Sequence, residues 1–212
     1  MSSFQQVLVE VHPLERLTSY WLSPDHSPQG PVLVEGPRGR QLGWIRSLQE
    51  TDSKPFPECI PASRDDLKLH HQRQLFAAEV QAWARRQVTD LKLPMKIQAT
   101  SQSLSGDLLI LYFSAPERLD FRPLVKALAQ HYRKKIELYQ LSARQRSQLL
   151  GGQGRCGLEC CCTAWLQEFP TVSVRMAEEQ GFSLQAEAIS GVCGRFLCCL
   201  RYEYEQLLEQ RQ

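Results

Sequence analysis

The sequence predicts an α+β protein in three parts. Residues 1–61 read as a small β-barrel-like region, 62–150 as a central helix with a small, mostly antiparallel sheet, and 151–212 as a cysteine-rich loop and helix module. Three observations carry this. Short β-rich runs bounded by Gly and Pro fill the first fifty residues. A long amphipathic helical pattern then opens an α-β-β-α-β order. Seven of the eight cysteines fall between 156 and 199.

Gln5–Val11 has strand composition, Tyr20–Leu22 is a short apolar run, and the Pro-, Ser- and Gly-bearing segment 24–30 breaks it. Pro31–Leu48 reads as a hairpin about a tight turn at Gly36–Gly39. Thr51–Pro61, with three prolines, is expected to be the exit linker. Ser63 has N-cap chemistry, and Phe76, Val80 and Trp83 stand at i, i+4 and i+7 of a helix running to about Val88. Met95–Thr100 and Leu108–Phe113 follow as strands around Ser105–Asp107. Asp120 can cap a helix to Tyr132 that turns Leu124, Val125 and Leu128 to a core, and Lys135–Leu141 is a further strand. Gly151–Gly154 interrupts regular structure ahead of the cysteines. Short helices are expected at Thr163–Phe169, stopping at Pro170, and at Phe196–Gln210.

Hydrophobic residues at 42% and charged residues at 23% are ordinary globular usage and argue against disorder. No basic leader with an apolar core opens the sequence, and no window reaches the ~18 apolar residues of a membrane span, so a cytosolic protein without membrane insertion is expected. The net charge of +2 announces no polyanion partner. It is spread unevenly, with Arg133, Lys134, Lys135, Arg144, Arg146 and Arg155 in a basic stretch and six glutamates beyond Met176. Arg144, Arg146 and Arg155 are the candidates for a weak RNA contact; a solvated face is the plainer account of them.

An offset of 37 residues superposes Cys156-Gly157-x-x-x-Cys161-Cys162 on Cys193-Gly194-x-x-x-Cys198-Cys199. Five of the seven positions match, three of them cysteine. In a reducing compartment such clustering points to metal or redox chemistry rather than disulfides. Each copy runs from a glycine loop into an expected helix, whose N-terminus, with Arg155 and Arg195 nearby, should favour thiolate. A glycine after the first cysteine lets backbone amides approach sulfur. Adjacent cysteines on a helix point about 100° apart, so each copy offers about two useful ligands. Four-coordinate zinc or a four-iron cluster then needs both copies or a partner subunit. The spacing belongs neither to a zinc ribbon nor to a ferredoxin, and buried apolar thiols would account for it without metal. Cys160 aligns with Leu197 and is expected to pack; Cys59 is expected to be a core or surface thiol.

No nucleophile–base pair or pair of carboxylates stands out as catalytic machinery. His70 and His71 are expected on the solvated part of their helix, while His12, His26 and His131 are isolated. Gly151–Gly154 lacks the Lys-Ser/Thr of a P-loop. A non-enzymatic protein is expected.

Ile136–Leu141, Leu150–Gly157, Cys161–Thr163, Val172–Gln180, Ile189–Arg195 and Leu197–Glu203 together closely resemble the RicT (YaaT)-like family, which carries the polymerase-suppressor C-terminal conserved domain. The Glu35–Gly39 hairpin and the Asp120–Lys126 segment also have counterparts there. The resemblance implies a cytoplasmic bacterial adaptor that joins small helical partners of the RicA and RicF (YmcA and YlbF) type. It further implies links to an iron–sulfur cluster, to RNase Y-dependent messenger RNA processing and to developmental control. On that basis Cys156, Cys161, Cys162, Cys193, Cys198 and Cys199 are the candidate ligands, for a 4Fe–4S cluster first and zinc as the alternative. The chain departs from the family in the first copy, where Leu158 and Glu159 stand where an arginine usually follows the glycine, and at Ala143–Arg146, which lacks the acidic residue often found there.

Overall fold

A computed structural model of the chain describes residues 4–23, 25–27, 29–51, 56–117 and 119–210. The chain forms two compact units, residues 1–140 and 141–212, where the sequence reading drew boundaries after 61 and 150. Strands and helices mix throughout the first unit, as expected of an α+β protein.

The first unit begins with β1 (Phe4–Glu10), β2 (Thr18–Leu22), β3 (Pro31–Gly36), β4 (Gly39–Thr51) and β5 (Ile60–Pro61). They pair antiparallel in the order β2-β1-β4-β3-β5 and curl into a half-barrel. A register shift opposite Leu8 and Val9 leaves Arg46 of β4 as an extra residue and bends that strand. The two-residue period of β1 sends Val7 and Val9 inward, onto Tyr20, Leu22, Val32, Val34 and Cys59. The segment expected to be an exit linker instead laces the sheet. The Trp21 amide donates to the Pro57 carbonyl and the Cys59 amide to the Trp21 carbonyl, both at 3.0 Å, before β5 joins β3. Residues 52–55 of that segment lie outside the described residues, as do Pro24 and Pro28 of the expected 24–30 break.

Helix α1 (Arg64–Asp90) starts in a capping box. Ser63 Oγ accepts from the Asp66 amide at 3.2 Å, and the Ser63 amide donates to Asp66 Oδ2 at 2.9 Å. Its inward stripe is Ala77, Val80, Ala84 and Val88, with Phe76 and Trp83 packed beside it. Then come β6 (Lys96–Gln102), β7 (Leu108–Ser114), α2 (Arg122–Tyr132) and β8 (Lys135–Gln140). The N-cap is Phe121 and makes no side-chain capping bond, while the expected cap, Asp120, stands one residue before it and accepts from the Arg122 amide through Oδ1 at 3.0 Å. The sheet order is β6-β7-β8, with β6/β7 antiparallel and β7/β8 parallel. The sheet is therefore mixed, because α2 carries the chain back to start β8 beside the start of β7. The central strand is buried from Leu108 to Phe113 without alternation, as a strand with neighbours on both edges and packing on its faces requires. Leu109, Leu111 and Phe113 meet Val80, Ala84, Leu124 and Leu128 in the core.

The second unit comprises α3 (Ala143–Leu150), α4 (Cys161–Ala164), α5 (Val174–Glu179), α6 (Ala186–Ile189) and α7 (Cys198–Gln210) around Ala177, Ile189 and Leu200. Three sequence expectations change here. Ala143–Arg146, for which no regular element is expected, opens a helix with its own capping box, Ser142 with Gln145. The helix expected at Thr163–Phe169 is a single turn that starts at Cys161 and ends at Trp165, whose φ of −150° is not helical. The terminal helix begins at Cys198, so both copies of the cysteine pair open a helix. No helix among the described residues is long and apolar enough to cross a membrane.

Candidate functional site

The sequence repeat in the second unit is also a repeat of backbone geometry. In the first copy the Gly154 amide donates to the Leu158 carbonyl at 2.8 Å, Gly157 to Gly154 at 3.0 Å, and Cys160 to Gly152 at 3.0 Å. The second copy places the same three bonds 37 residues later: Gly191 to Arg195 at 2.8 Å, Gly194 to Gly191 at 2.9 Å, and Leu197 to Ile189 at 2.9 Å. Bridges Gln153–Glu159 and Ser190–Phe196 close the two turns alike. Gly157 and Gly194 occupy the left-handed region at φ +78° and +72°, which a side chain adopts only under strain. A Cβ on either would meet nothing within 4 Å, so it is the turn's positive φ that calls for glycine at these positions. The glycine beside sulfur is the one three residues earlier. A Cβ on Gly154 would lie 3.4 Å from Cys156 Sγ, and one on Gly191 would lie 3.8 Å from Cys193 Sγ.

The two turns face one cavity of about 540 Å3. All six candidate ligands, Cys156, Cys161, Cys162, Cys193, Cys198 and Cys199, line it. So does Cys160, expected only to pack, which is 7% exposed. Ring contact between Trp165 and Tyr202, 4.7 Å between centroids, joins the chain after α4 to α7. Gln180 Nε2 donates to the Met176 and Leu200 carbonyls at 2.7 and 2.8 Å, which ties α5 to α7.

At Cys160, Cys162, Cys198 and Cys199 the electrostatics oppose free thiolates. Burial, and then the neighbouring Cys161, pushes the Cys198 thiol up to about 11, while Arg144 pulls the other way. Burial likewise raises Cys160, Cys162 and Cys199, with Glu159 and Glu203 adding repulsion at Cys160 and Cys199. Desolvation thus outweighs the helix N-termini that the sequence suggested would hold these sulfurs ionised. The seven cysteines carry no disulfide, and among the described residues no three His, Cys, Asp or Glu side chains converge as a metal-holding group. The donor set still fits a thiolate-bound group in number and softness. Any metal must expel protons on binding and draw the sulfurs inward.

The three candidate RNA-binding arginines do not form one open stripe. Arg144 and Arg155 line the cysteine cavity, whereas Arg146 is exposed. Arg144 Nη2 donates to the Phe196 carbonyl at 3.1 Å, its guanidinium lies 5.2 Å from the Phe169 ring centroid, and its Nε is buried without a partner. Arg155 Nη1 donates to the Glu187 carbonyl. Two of the three therefore brace the second turn and its surroundings. Cys59, in the first unit, is a core thiol that donates to the Trp21 carbonyl at 3.4 Å and stands apart from the cavity.

Residues 60–141 match the PSP1 C-terminal conserved region, and residues 171–212 match the third domain of PSP1-like proteins. Stage 0 sporulation protein YaaT of Bacillus subtilis (strain 168) is 36% identical to the chain over 188 residues, covering 84% of this chain and 68% of that protein. The chain belongs to the YaaT-like PSP1 family. No solved structure matches the chain significantly. In this YaaT-like chain the PSP1 region covers β5 through β8, and the third domain holds the second cysteine turn. The first turn, at 156–162, falls between the two matched segments.

Proposed function

We propose that this chain is a non-catalytic adaptor subunit of a cytoplasmic regulatory complex, and that it holds an iron–sulfur cluster in the cavity between its two cysteine turns. One observation supports the reading above others: two sequence-related turns bring seven sulfurs to one cavity. Zinc requires four ligands about 2.3 Å from a single point. Sulfurs spread around a cavity of about 540 Å3 suit a larger thiolate-ligated group, of the 4Fe–4S kind, better than one zinc ion. Cys156 and Cys193, from the turns, and Cys161 and Cys198, from the helix starts, are the symmetric set of four; Cys162 and Cys199 are the reserve pair. Bound there, the group would supply electron exchange or a structural clamp, and the chain's own part is to gather sulfurs and exclude water.

The likeness to a sporulation protein supports a regulatory role rather than catalysis. The family resemblance supports RicA- and RicF-type helical partners and a place in RNase Y-dependent messenger RNA processing. Anaerobic purification of the full chain with such partners, followed by iron and acid-labile sulfide assay, tests the reading. Stoichiometric iron and sulfide that vanish in a Cys156→Ser/Cys193→Ser variant are expected. One equivalent of zinc without sulfide would make the site structural. Neither metal, with that variant assembling normally, would leave the seven thiols as packing residues.

A further inference from the structure

The first unit holds a second cavity, of about 400 Å3, walled by the β1–β2 connection, β4, α1 and β6. Its wall concentrates unmet hydrogen-bonding capacity. Six buried side-chain nitrogen or oxygen atoms among the described residues lack a partner. Four of them, His70 Nε2, Arg73 Nε, Thr100 Oγ1 and Gln102 Oε1, belong to residues of this one wall. Each such atom costs about 1–3 kcal/mol when left unpaired, so four around one space point to something that pairs them.

The wall also has a charge and a shape. Arg38 is neutralised by Glu15 and by Glu137, the latter at 3.4 Å. Arg73 makes no ion pair among the described residues. Its guanidinium rests on Gly106, where a Cβ would come within 2.6 Å of Cζ, and this fixes its position. Burial lowers the affinity of His12 and His70 for protons, which leaves Arg73 the unbalanced cation of the wall. Aromatic surface faces the same space. His12 stacks on Tyr112 at 4.7 Å, and Trp44 meets His70 edge-on at 5.6 Å. A volume of about 400 Å3 is that of a small-molecule site, roughly 300–1,000 Å3.

We propose that this cavity binds a small organic anion with a planar ring, its phosphate or carboxylate on Arg73, its ring against Trp44 and its polar edge on Thr100 and Gln102. Arginine presents paired N–H donors that match either acid, and an exposed indole offers a stacking face. The site is independent of the cysteine cavity and of what that cavity holds.

Calorimetric titration of the full chain with the four nucleoside monophosphates, nicotinate and inorganic phosphate tests the proposal, with tryptophan emission as a second readout. Binding of at least one ring-bearing anion is expected, with emission quenched, and with affinity at least about tenfold weaker in Arg73→Gln than in wild type. The quench should vanish in Trp44→Phe, and inorganic phosphate alone should bind more weakly than the ring-bearing probe. Preference for nucleotides over nicotinate assigns a phosphate, and the reverse a carboxylate. Thr100→Val provides the same comparison at nearly constant volume if Arg73→Gln melts early. No binding of any probe at millimolar concentration, equal binding by Arg73→Gln and Thr100→Val, or a quench that survives Trp44→Phe, would overturn it and leave the polar wall to ordered water.

Discussion

Gly154 and Gly191 stand 37 residues apart and make the same bond, each amide donating at 2.8 Å to the carbonyl four residues ahead. The match in hydrogen bonding is closer than the match in side chains, since Leu158 and Arg195 supply those carbonyls. The turn, more than the residues between its cysteines, is what has been duplicated.

Matched substitutions should therefore have matched effects. Gly157→Ala and Gly194→Ala both place a Cβ in the left-handed region with open space around it. Each should destabilise the chain by about 1 kcal/mol, through backbone strain alone. Urea unfolding of the two variants checks this. A difference of several-fold between them would show that the two turns are not equivalent in energy.

Ser63→Ala removes one half of the α1 capping box and should lower stability by about 1 kcal/mol. For a chain of this length that corresponds to a melting shift of about 2–4 °C. Ser63→Asp keeps an acceptor at the same position and should recover most of the loss. Equal melting of wild type and Ser63→Ala would mean that the helix start is held by tertiary contacts instead.

His12 is held neutral, with burial followed by Arg38 lowering its pKa to about 4 from 6.5. A base with a depressed pKa binds fewer protons folded than unfolded, so stability rises with pH between those values and is lost as pH falls from 6.5 towards 4. Chemical denaturation at pH 5 against pH 7 should show a loss on the order of 1 kcal/mol for this group, discounted for its partial exposure. His12→Gln should lack that share. A wild-type stability that is flat across this window would contradict the buried neutral ring.

Cysteine substitutions should separate by location. Cys193→Ser and Cys198→Ser should lower iron and sulfide content in anaerobically prepared protein while leaving the first unit folded. Cys59→Ser, in the core of the curled sheet, should leave iron unchanged and lower stability by about 1–3 kcal/mol, since it exchanges a buried thiol for a more polar hydroxyl. Loss of iron in Cys59→Ser to the same degree would argue that iron content tracks global folding and not the cavity.

Much of the fold was legible because its signals are local. The Val80 stripe, the Ser63 cap and the Gly36–Gly39 turn each lie within a few residues of what they specify. Helix α3 escaped because Ala143–Leu150 buries only Ser147, so it offers no apolar period to read. Its signal was the capping box Ser142…Gln145. Helix α4 was overextended because Trp165, Leu166 and Phe169 resemble a helical face, while the chain leaves the helix at Trp165. At the cysteine site the repeat was readable as identity at a fixed offset. Its convergence on one cavity was not, since the two turns are linked through short helices whose packing depends on Ile189 and Leu200. The Arg73 cavity was hidden for the same reason, its wall being drawn from residues between 11 and 112.

The two turns that share the cysteine cavity are separated by a stretch with only single-turn and near-single-turn helices, α5 and α6. An occupant gripped by Cys156 and Cys193 would act as a covalent staple across that stretch. Closing a loop of nearly forty residues removes about 4 kcal/mol of denatured-chain freedom. Amide exchange across 165–192 would then report occupancy from a distance. Slow exchange would mark the loaded protein and fast exchange the empty one, so filling the cavity would switch the order of a surface that other molecules can touch.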